Sequence, residues 1–185
     1  MSELNNSADA KKLGYVGSTP GNRDSNAWFT PSKYIESVRA GLGGVIELDP
    51  FSSVAANNVV KANKFYTETD NAFTKPWKAT TIFMNPPYSG KLCSEAVTKF
   101  LDEFERDTFK EGVFLVNNST ETKWFQRALG LANAVCFTNH RISFWNADGK
   151  AMSGNTRGQA FFYFGKNAKR FVKEFSPHGN TITLR

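Results

Sequence analysis

The chain's pattern predicts an α/β fold in which a mostly parallel sheet is finished by an antiparallel C-terminal edge. Three observations carry that prediction. Short apolar runs of β type alternate with amphipathic stretches up to about residue 132. Closely spaced β-type runs follow at 134–138, 142–145 and 160–164, the signature of an antiparallel edge. Within the first of these regions the strand that opens at Thr80 stops on Asn85-Pro86-Pro87-Tyr88. Proline has no N–H for a ladder, and it pushes the residue before it into extended geometry. The strand must therefore end in a stiff, non-helical corner.

Residues 1–26 are rich in Ser, Asn, Gly and Lys without periodicity and read as a mobile, mildly basic N-terminal arm. Residues 27–185 read as a single domain. Thr30 as N-cap and Pro31 at the first helical position open a helix with Tyr34, Ile35, Val38 and Leu42 on one face, ended by glycines 41, 43 and 44. A short strand at 45–48 runs into Asp49-Pro50-Phe51-Ser52-Ser53, ahead of a helix at 55–61. This is the form of a first β-to-α turn in a nucleotide-binding unit, although serines stand where glycines are usual. A second strand is expected at 63–67, then the turn-like Glu68, Asp70 and Asn71. An amphipathic helix follows at 92–104 and an apolar strand at 113–116. Ser119 or Thr120 is the expected cap of a helix that buries Trp124, Phe125, Ala128 and Leu129. Residues 167–175 read as a helix and 181–184 as a terminal strand or tail.

Composition narrows the possibilities. The 185 residues include 17 Phe and 40% apolar residues, enough for a proper core. Lys and Arg number 23 against 17 Asp and Glu, a balance that permits a polyanionic partner. Two cysteines make neither a disulfide framework nor a metal site, which suits a reducing cytoplasm. No signal peptide or membrane-length apolar run is visible.

In an open α/β sheet, ligands bind beyond the carboxyl ends of strands. At the corner, Asn85 offers an amide, Pro86 a carbonyl that no helix claims, and Tyr88 an aromatic ring. Oxygens there can accept both N–H bonds of a planar amine while the ring face stacks on it.

The corner and its flanks together resemble the phage-type DNA N6-adenine methyltransferases, a Dam-like, S-adenosylmethionine-dependent family. Its features here are Trp28-x-Thr30-Pro31, Leu48-Asp49-Pro50, Tyr66-Thr67-x-x-Asp70-Asn71-Ala72-Phe73 with Pro76-Trp77, and Asn85-Pro86-Pro87-Tyr88. Thr122-x-Trp124-Phe125 and Arg141-Ile142-x-Phe144 are similar too. The resemblance spans roughly residues 28–165, and its specificity lies in order and spacing.

The resemblance implies a seven-stranded Rossmann-like methyltransferase core acting on the N6 amine of adenine in double-stranded DNA, in the cytoplasm of a bacterial or phage-infected cell, without metal or membrane. It assigns the catalytic corner to Asn85, Pro86, Pro87 and Tyr88. Thr30, Pro31, Asp49, Pro50 and Phe51 would line the methionine side of S-adenosylmethionine. Asp70 would meet the cofactor's ribose or adenine, or serve only as a turn-forming surface carboxylate. Lys91, Lys123 and Arg141 are candidate phosphate contacts, and no separate base-reading domain is present. Other planar amines (cytosine N4, guanine N2 in RNA, a protein glutamine) remain alternatives, as does a non-catalytic nucleic-acid-binding relative.

Overall fold

The computed structural model describes residues 28–146, 150–151 and 155–185; the expected arm at 1–26 lies outside them. The strands are β1 Leu48–Asp49, β2 Lys64–Phe65, β3 Thr81–Met84, β4 Glu111–Asn117, β5 Ala134–Thr138, β6 Gln159–Phe164 and β7 Gly179–Thr183. The helices are α1 Ser32–Gly41, α2 Val54–Val60, α3 Gly90–Glu105, α4 Lys123–Leu131 and α5 Ala168–Phe175. All seven strands join one sheet in the order β2-β1-β3-β4-β6-β5-β7. The pairs β1–β2, β1–β3 and β3–β4 are parallel, and β4–β6, β5–β6 and β5–β7 antiparallel. Strand β5 thus points the same way as β4, so five strands run one way and two oppose them, as the sequence pattern predicts.

Alternation along the strands fills two apolar layers. Ile82, Met84, Phe114, Val116 and Phe162 face α3 and α4, where they meet Ala96, Phe100 and Phe125. Phe83, Val113, Leu115, Phe161 and Tyr163 face α1, α2 and α5, against Tyr34, Val38, Val60 and Phe171. Gly112 on β4 is a spacing requirement: a Cβ there would lie 2.5 Å from Phe100 Cζ and 2.8 Å from Phe109 Cε2. Its bare backbone lets Phe100 of α3 and Phe109 press onto the sheet. No helix among the described residues is long and apolar enough to cross a membrane.

Four local expectations need correcting. Thr30 does not cap α1: Pro31 holds the N-cap position and its carbonyl accepts from the Tyr34 N–H at 3.0 Å. Thr122, not Ser119 or Thr120, caps α4; its hydroxyl accepts from Phe125 N–H and donates to the Ser119 carbonyl. The strand expected at 45–48 is β1 at Leu48–Asp49, and ahead of it the Thr81 hydroxyl donates to the Val45 carbonyl and accepts from the Glu47 N–H. Residues 142–145 form no sheet strand, since side chains claim their backbone. The Ile142 N–H donates to Gln159 Oε1 and its carbonyl accepts from Asn155 Nδ2. Only Trp145 pairs, in bridges to Phe29 and Ala151.

Candidate active site

The sheet reverses its winding between β1 and β3: the chain leaves β1 for β2 on one side and returns to β3 on the other. Such a switch point opens a crevice at the strands' carboxyl ends. Asp49 ends β1 and Asn85 follows the last residue of β3, so both stand at its mouth.

At the β3 end, every polar atom of the Asn85 side chain is engaged. Its Nδ2 donates to the Trp28 carbonyl at 3.1 Å and to the Thr30 hydroxyl at 3.2 Å. Its Oδ1 accepts from the Tyr88 hydroxyl at 2.8 Å. Nothing among the described residues donates to the Pro86 carbonyl. Tyr88 also donates, more weakly, to the Leu115 carbonyl at 3.4 Å. Burial, with the Cys93 thiol nearby, holds the Tyr88 phenol well above its ordinary pKa, so it remains a neutral donor. The Tyr88 ring meets Phe144 edge-on at 6.1 Å, and Phe144 meets Trp28 edge-on at 5.7 Å. Tyr88 as a whole is half-buried.

At the β1 end, Asp49 is 2% exposed. Burial pushes its carboxyl up to about 7, although the Phe51 N–H donates to Oδ1 at 3.2 Å and the Ser52 hydroxyl also pulls the value down. No cation offsets it among the described residues. The Ser52 hydroxyl faces this carboxylate without completing a well-formed hydrogen bond, and Asn71 Oδ1 is likewise buried without a partner. Buried polar atoms left unmatched are costly, and at the end of β1 the Ser52 hydroxyl and the uncompensated Asp49 carboxylate together suit a polar, cationic ligand.

Beyond β2, Asp70 is committed to its own turn. Its Oδ2 accepts from Thr67 N–H at 2.8 Å and from the Thr67 hydroxyl at 2.7 Å, which hold it below the usual carboxylate range. The half-buried Phe51 ring lies against Phe73 at 5.2 Å and Trp77 at 5.8 Å, an apolar wall beside that turn.

Lys91, Lys123 and Arg141 are all exposed, and each follows the carboxyl end of a codirectional strand: β3, β4 and β5. All three therefore stand on the same edge of the sheet as Asn85. Lys91 is paired with Glu95 at 3.4 Å on the helix surface, an exposed pair of little energetic weight.

The motif pattern alone does not reveal three of these contacts: the Trp28 carbonyl, the Ser52 hydroxyl and Asn71 Oδ1. A backbone oxygen carries no sequence signal, and a serine or asparagine in a turn is ordinary. The Tyr88 hydroxyl is a further addition, since the sequence argues only for its ring.

A doubly wound sheet with a buried, uncompensated carboxylate at one strand end and an Asn-Pro-Pro-Tyr corner at the next defines a methyltransferase of Rossmann-like fold. The chain belongs to the DNA N-6-adenine-methyltransferase (Dam) family, whose model matches residues 17–177. It is also similar to a DNA N-6-adenine-methyltransferase of Haemophilus phage HP1 (strain HP1c1). The two are 28% identical over 143 residues, which cover 76% of this chain and 79% of that protein. The chain is thus an enzyme that methylates the N6 amine of adenine in DNA, with S-adenosylmethionine as the methyl donor. That decides among the planar amines the corner alone leaves open.

Proposed function

We propose that residues 27–185 act as one catalytic unit on double-stranded DNA, with the target adenine extruded into the Asn-Pro-Pro-Tyr corner and the cofactor across the ends of β1 and β2. The observation that carries this reading is the placement of Asp49 and Asn85 on neighbouring strands: a buried carboxylate without a cation beside a fixed amide oxygen.

The residues present suit the cofactor. Asp49 would take the cationic methionine end, with Pro31, Pro50 and Phe51 around it and Ser52 as a further polar contact, while the Thr30 hydroxyl, which accepts from Asn85 Nδ2, is left to that amide. Asp70 Oδ2 is held by Thr67, so Oδ1 is the atom left for ribose or adenine. When bound, S-adenosylmethionine supplies an electrophilic methyl on a sulfonium. Asn85 Oδ1, with a second lone pair beside the Tyr88 bond, and the Pro86 carbonyl accept the two N–H bonds of the adenine amine. They orient its lone pair and favour the nitrogen as it becomes pyramidal and positive. No strong base is needed before attack, because an ammonium-like product loses its proton readily. Pro87 stiffens the corner, and the Tyr88 ring offsets part of the stacking lost on extrusion. Lys91, Lys123 and Arg141 face the phosphates.

Incubation with labelled S-adenosylmethionine and unmodified DNA, offered as duplex and as single strand, tests the substrate. The expected result is N6-methyladenine in digests of the duplex. Label confined to single strands would reject the duplex reading.

The raised Asp49 pKa gives a second expectation with a definite sign. Protonated Asp49 is favoured in the folded, cofactor-free protein, so its contribution to stability is full below about 4 and is lost as pH rises toward about 7. The ionised form is the one that attracts a cation. Cofactor affinity should therefore increase as pH rises through 7, while the melting temperature without cofactor falls over the acid side of that window. Asp49→Asn should flatten both trends and weaken binding at pH 8 by about 1.5–3 kcal/mol, the worth of a charge-assisted hydrogen bond. Calorimetry with S-adenosylhomocysteine, which keeps the ammonium, reads the affinity. A pH-independent affinity that Asp49→Asn leaves unchanged would remove Asp49 from the cofactor site.

A further inference from the structure

Thr30 stands before a proline in a three-residue extended strap that crosses the mouth of the corner. Phe29 pairs with Trp145 through two backbone bonds, Phe29 N–H to the Trp145 carbonyl at 2.8 Å and Trp145 N–H to the Phe29 carbonyl at 3.0 Å. Pro31 then fixes the backbone at the start of α1. With Phe29 committed to Trp145, its neighbours on either side turn to Asn85: the Trp28 carbonyl and the Thr30 hydroxyl, the latter on a residue only 6% exposed.

We propose that Thr30 is a positioning residue for methyl transfer: with the Trp28 carbonyl, its hydroxyl holds the Asn85 amide with Nδ2 inward and Oδ1 toward the target amine. This rests on the assignment of Asn85 to that amine. The two ends of an asparagine amide are nearly identical in shape, so packing alone sets no preference between them. A reversed amide would present N–H groups to the N–H groups of adenine, donor against donor. Only the Trp28 carbonyl selects the sense of the amide: it can only accept, so it takes Nδ2 over Oδ1. The two hydroxyls, each able to donate or accept, hold the amide in place. The Thr30 hydroxyl sits at the second Nδ2 proton, and the Tyr88 hydroxyl donates to Oδ1 from the other side. Of these, Thr30 is the one side chain whose hydroxyl can be deleted without touching the ring that faces the base. Its hydroxyl therefore works through Asn85, with no need to touch the cofactor.

The same strap joins the corner to the segment after β5. Phe144 packs on both Trp28 and Tyr88, and Trp145 holds Phe29. The amide's orientation thus depends on two chain segments more than fifty residues from it in sequence on either side, as the Trp28–Asn85 bond spans 57 positions.

Thr30→Val removes the hydroxyl and keeps the branched shape; Thr30→Ser keeps the hydroxyl. Single-turnover methylation of duplex DNA at saturating cofactor and DNA should fall on the order of tenfold in Thr30→Val, the size expected from one lost hydrogen bond at a reacting group. Thr30→Ser should stay within about threefold of wild type on the same scale. The dissociation constant for S-adenosylhomocysteine should change by less than about twofold in both variants, because the Thr30 hydroxyl is engaged by Asn85 and not held for the cofactor. Thr30→Ala, which adds no bulk, is judged by the same criteria should valine fail to fold. A hydroxyl-less variant that transfers methyl at the wild-type rate overturns the proposal. So does one whose only defect is weakened cofactor binding, since Thr30 would then serve the cofactor. The underlying assignment is separately exposed: if Asn85→Ala is fully active, that assignment fails, whereas an inactive Asn85→Ala beside a fully active Thr30→Val sinks this inference alone.

Discussion

Asn85→Ala is expected to bind S-adenosylhomocysteine as tightly as the wild-type protein and to methylate duplex DNA on the order of 10²–10³-fold more slowly, the usual consequence of deleting one preorganised partner of a developing charge. On the proposed assignment, the substitution removes the oxygen that faces the adenine amine and leaves the β1 and β2 ends untouched. It also frees the Tyr88 hydroxyl, the Thr30 hydroxyl and the Trp28 carbonyl, all of which now meet in one amide. Some loss of thermal stability should therefore accompany the kinetic loss. Asn85→Asp separates the two effects. A carboxylate retains an acceptor toward the amine, but its second oxygen would face the Trp28 carbonyl at the position now held by Nδ2, 3.1 Å away. Two acceptors at that distance repel, so the aspartate variant should lie between wild type and alanine in rate. Single-turnover kinetics and calorimetry on the three proteins decide the matter. An alanine variant that methylates at the original rate would remove Asn85 from the chemistry.

The sequence makes strand and helix placement legible where the pattern is set by apolar spacing, and less so where a polar side chain competes for the backbone. Strand β5 is read to the residue, and β6 and α5 to within one, because their registers are fixed by which face is buried. The misread segments share a different cause. At 142–145 the apolar alternation is real, with Ile142 and Phe144 buried, but Gln159 and Asn155 take the hydrogen bonds a neighbouring strand would have made. At Thr30 the residue type and the following proline argue for a cap, yet its hydroxyl is used 55 positions away on Asn85. Local chemistry cannot see such a partner. The same holds for the candidate site. Asp49, Asn85 and Tyr88 are visible because a strand end plus a proline corner is a local event, whereas the Trp28 carbonyl acquires meaning only when the fold brings it to Asn85, and the orphaned Ser52 and Asn71 oxygens only once their burial is known.

On the proposed assignment Tyr88 has two separable functions, and its substitutions should fall into two steps. Its ring, on a half-buried residue at the corner, would stack on the extruded base, and its hydroxyl donates to Asn85 Oδ1 at 2.8 Å. The sequence argues only for the ring and so expects phenylalanine to be nearly neutral. With the hydroxyl bond in view, Tyr88→Phe should lose about 1 kcal/mol of transition-state stabilisation, the worth of one hydrogen bond, with base binding retained. Tyr88→Ala should lose that and a further 1–3 kcal/mol or so of stacking, seen as weaker binding of DNA with an extruded base and slower methylation. A target adenine opposite a mismatch costs less to extrude, so it should partly rescue Tyr88→Ala and leave the deficit of Tyr88→Phe unchanged, since phenylalanine keeps the stacking face. The competing account is that Tyr88 merely fills space against Phe144. On that account, Tyr88→Ala lowers the melting temperature and cofactor affinity together, and a mismatch restores nothing. Melting temperature, S-adenosylhomocysteine affinity and single-turnover rates on matched and mismatched duplexes distinguish the two. Equal rates for Phe and Ala on both duplexes would show that the ring face takes no part in holding the base.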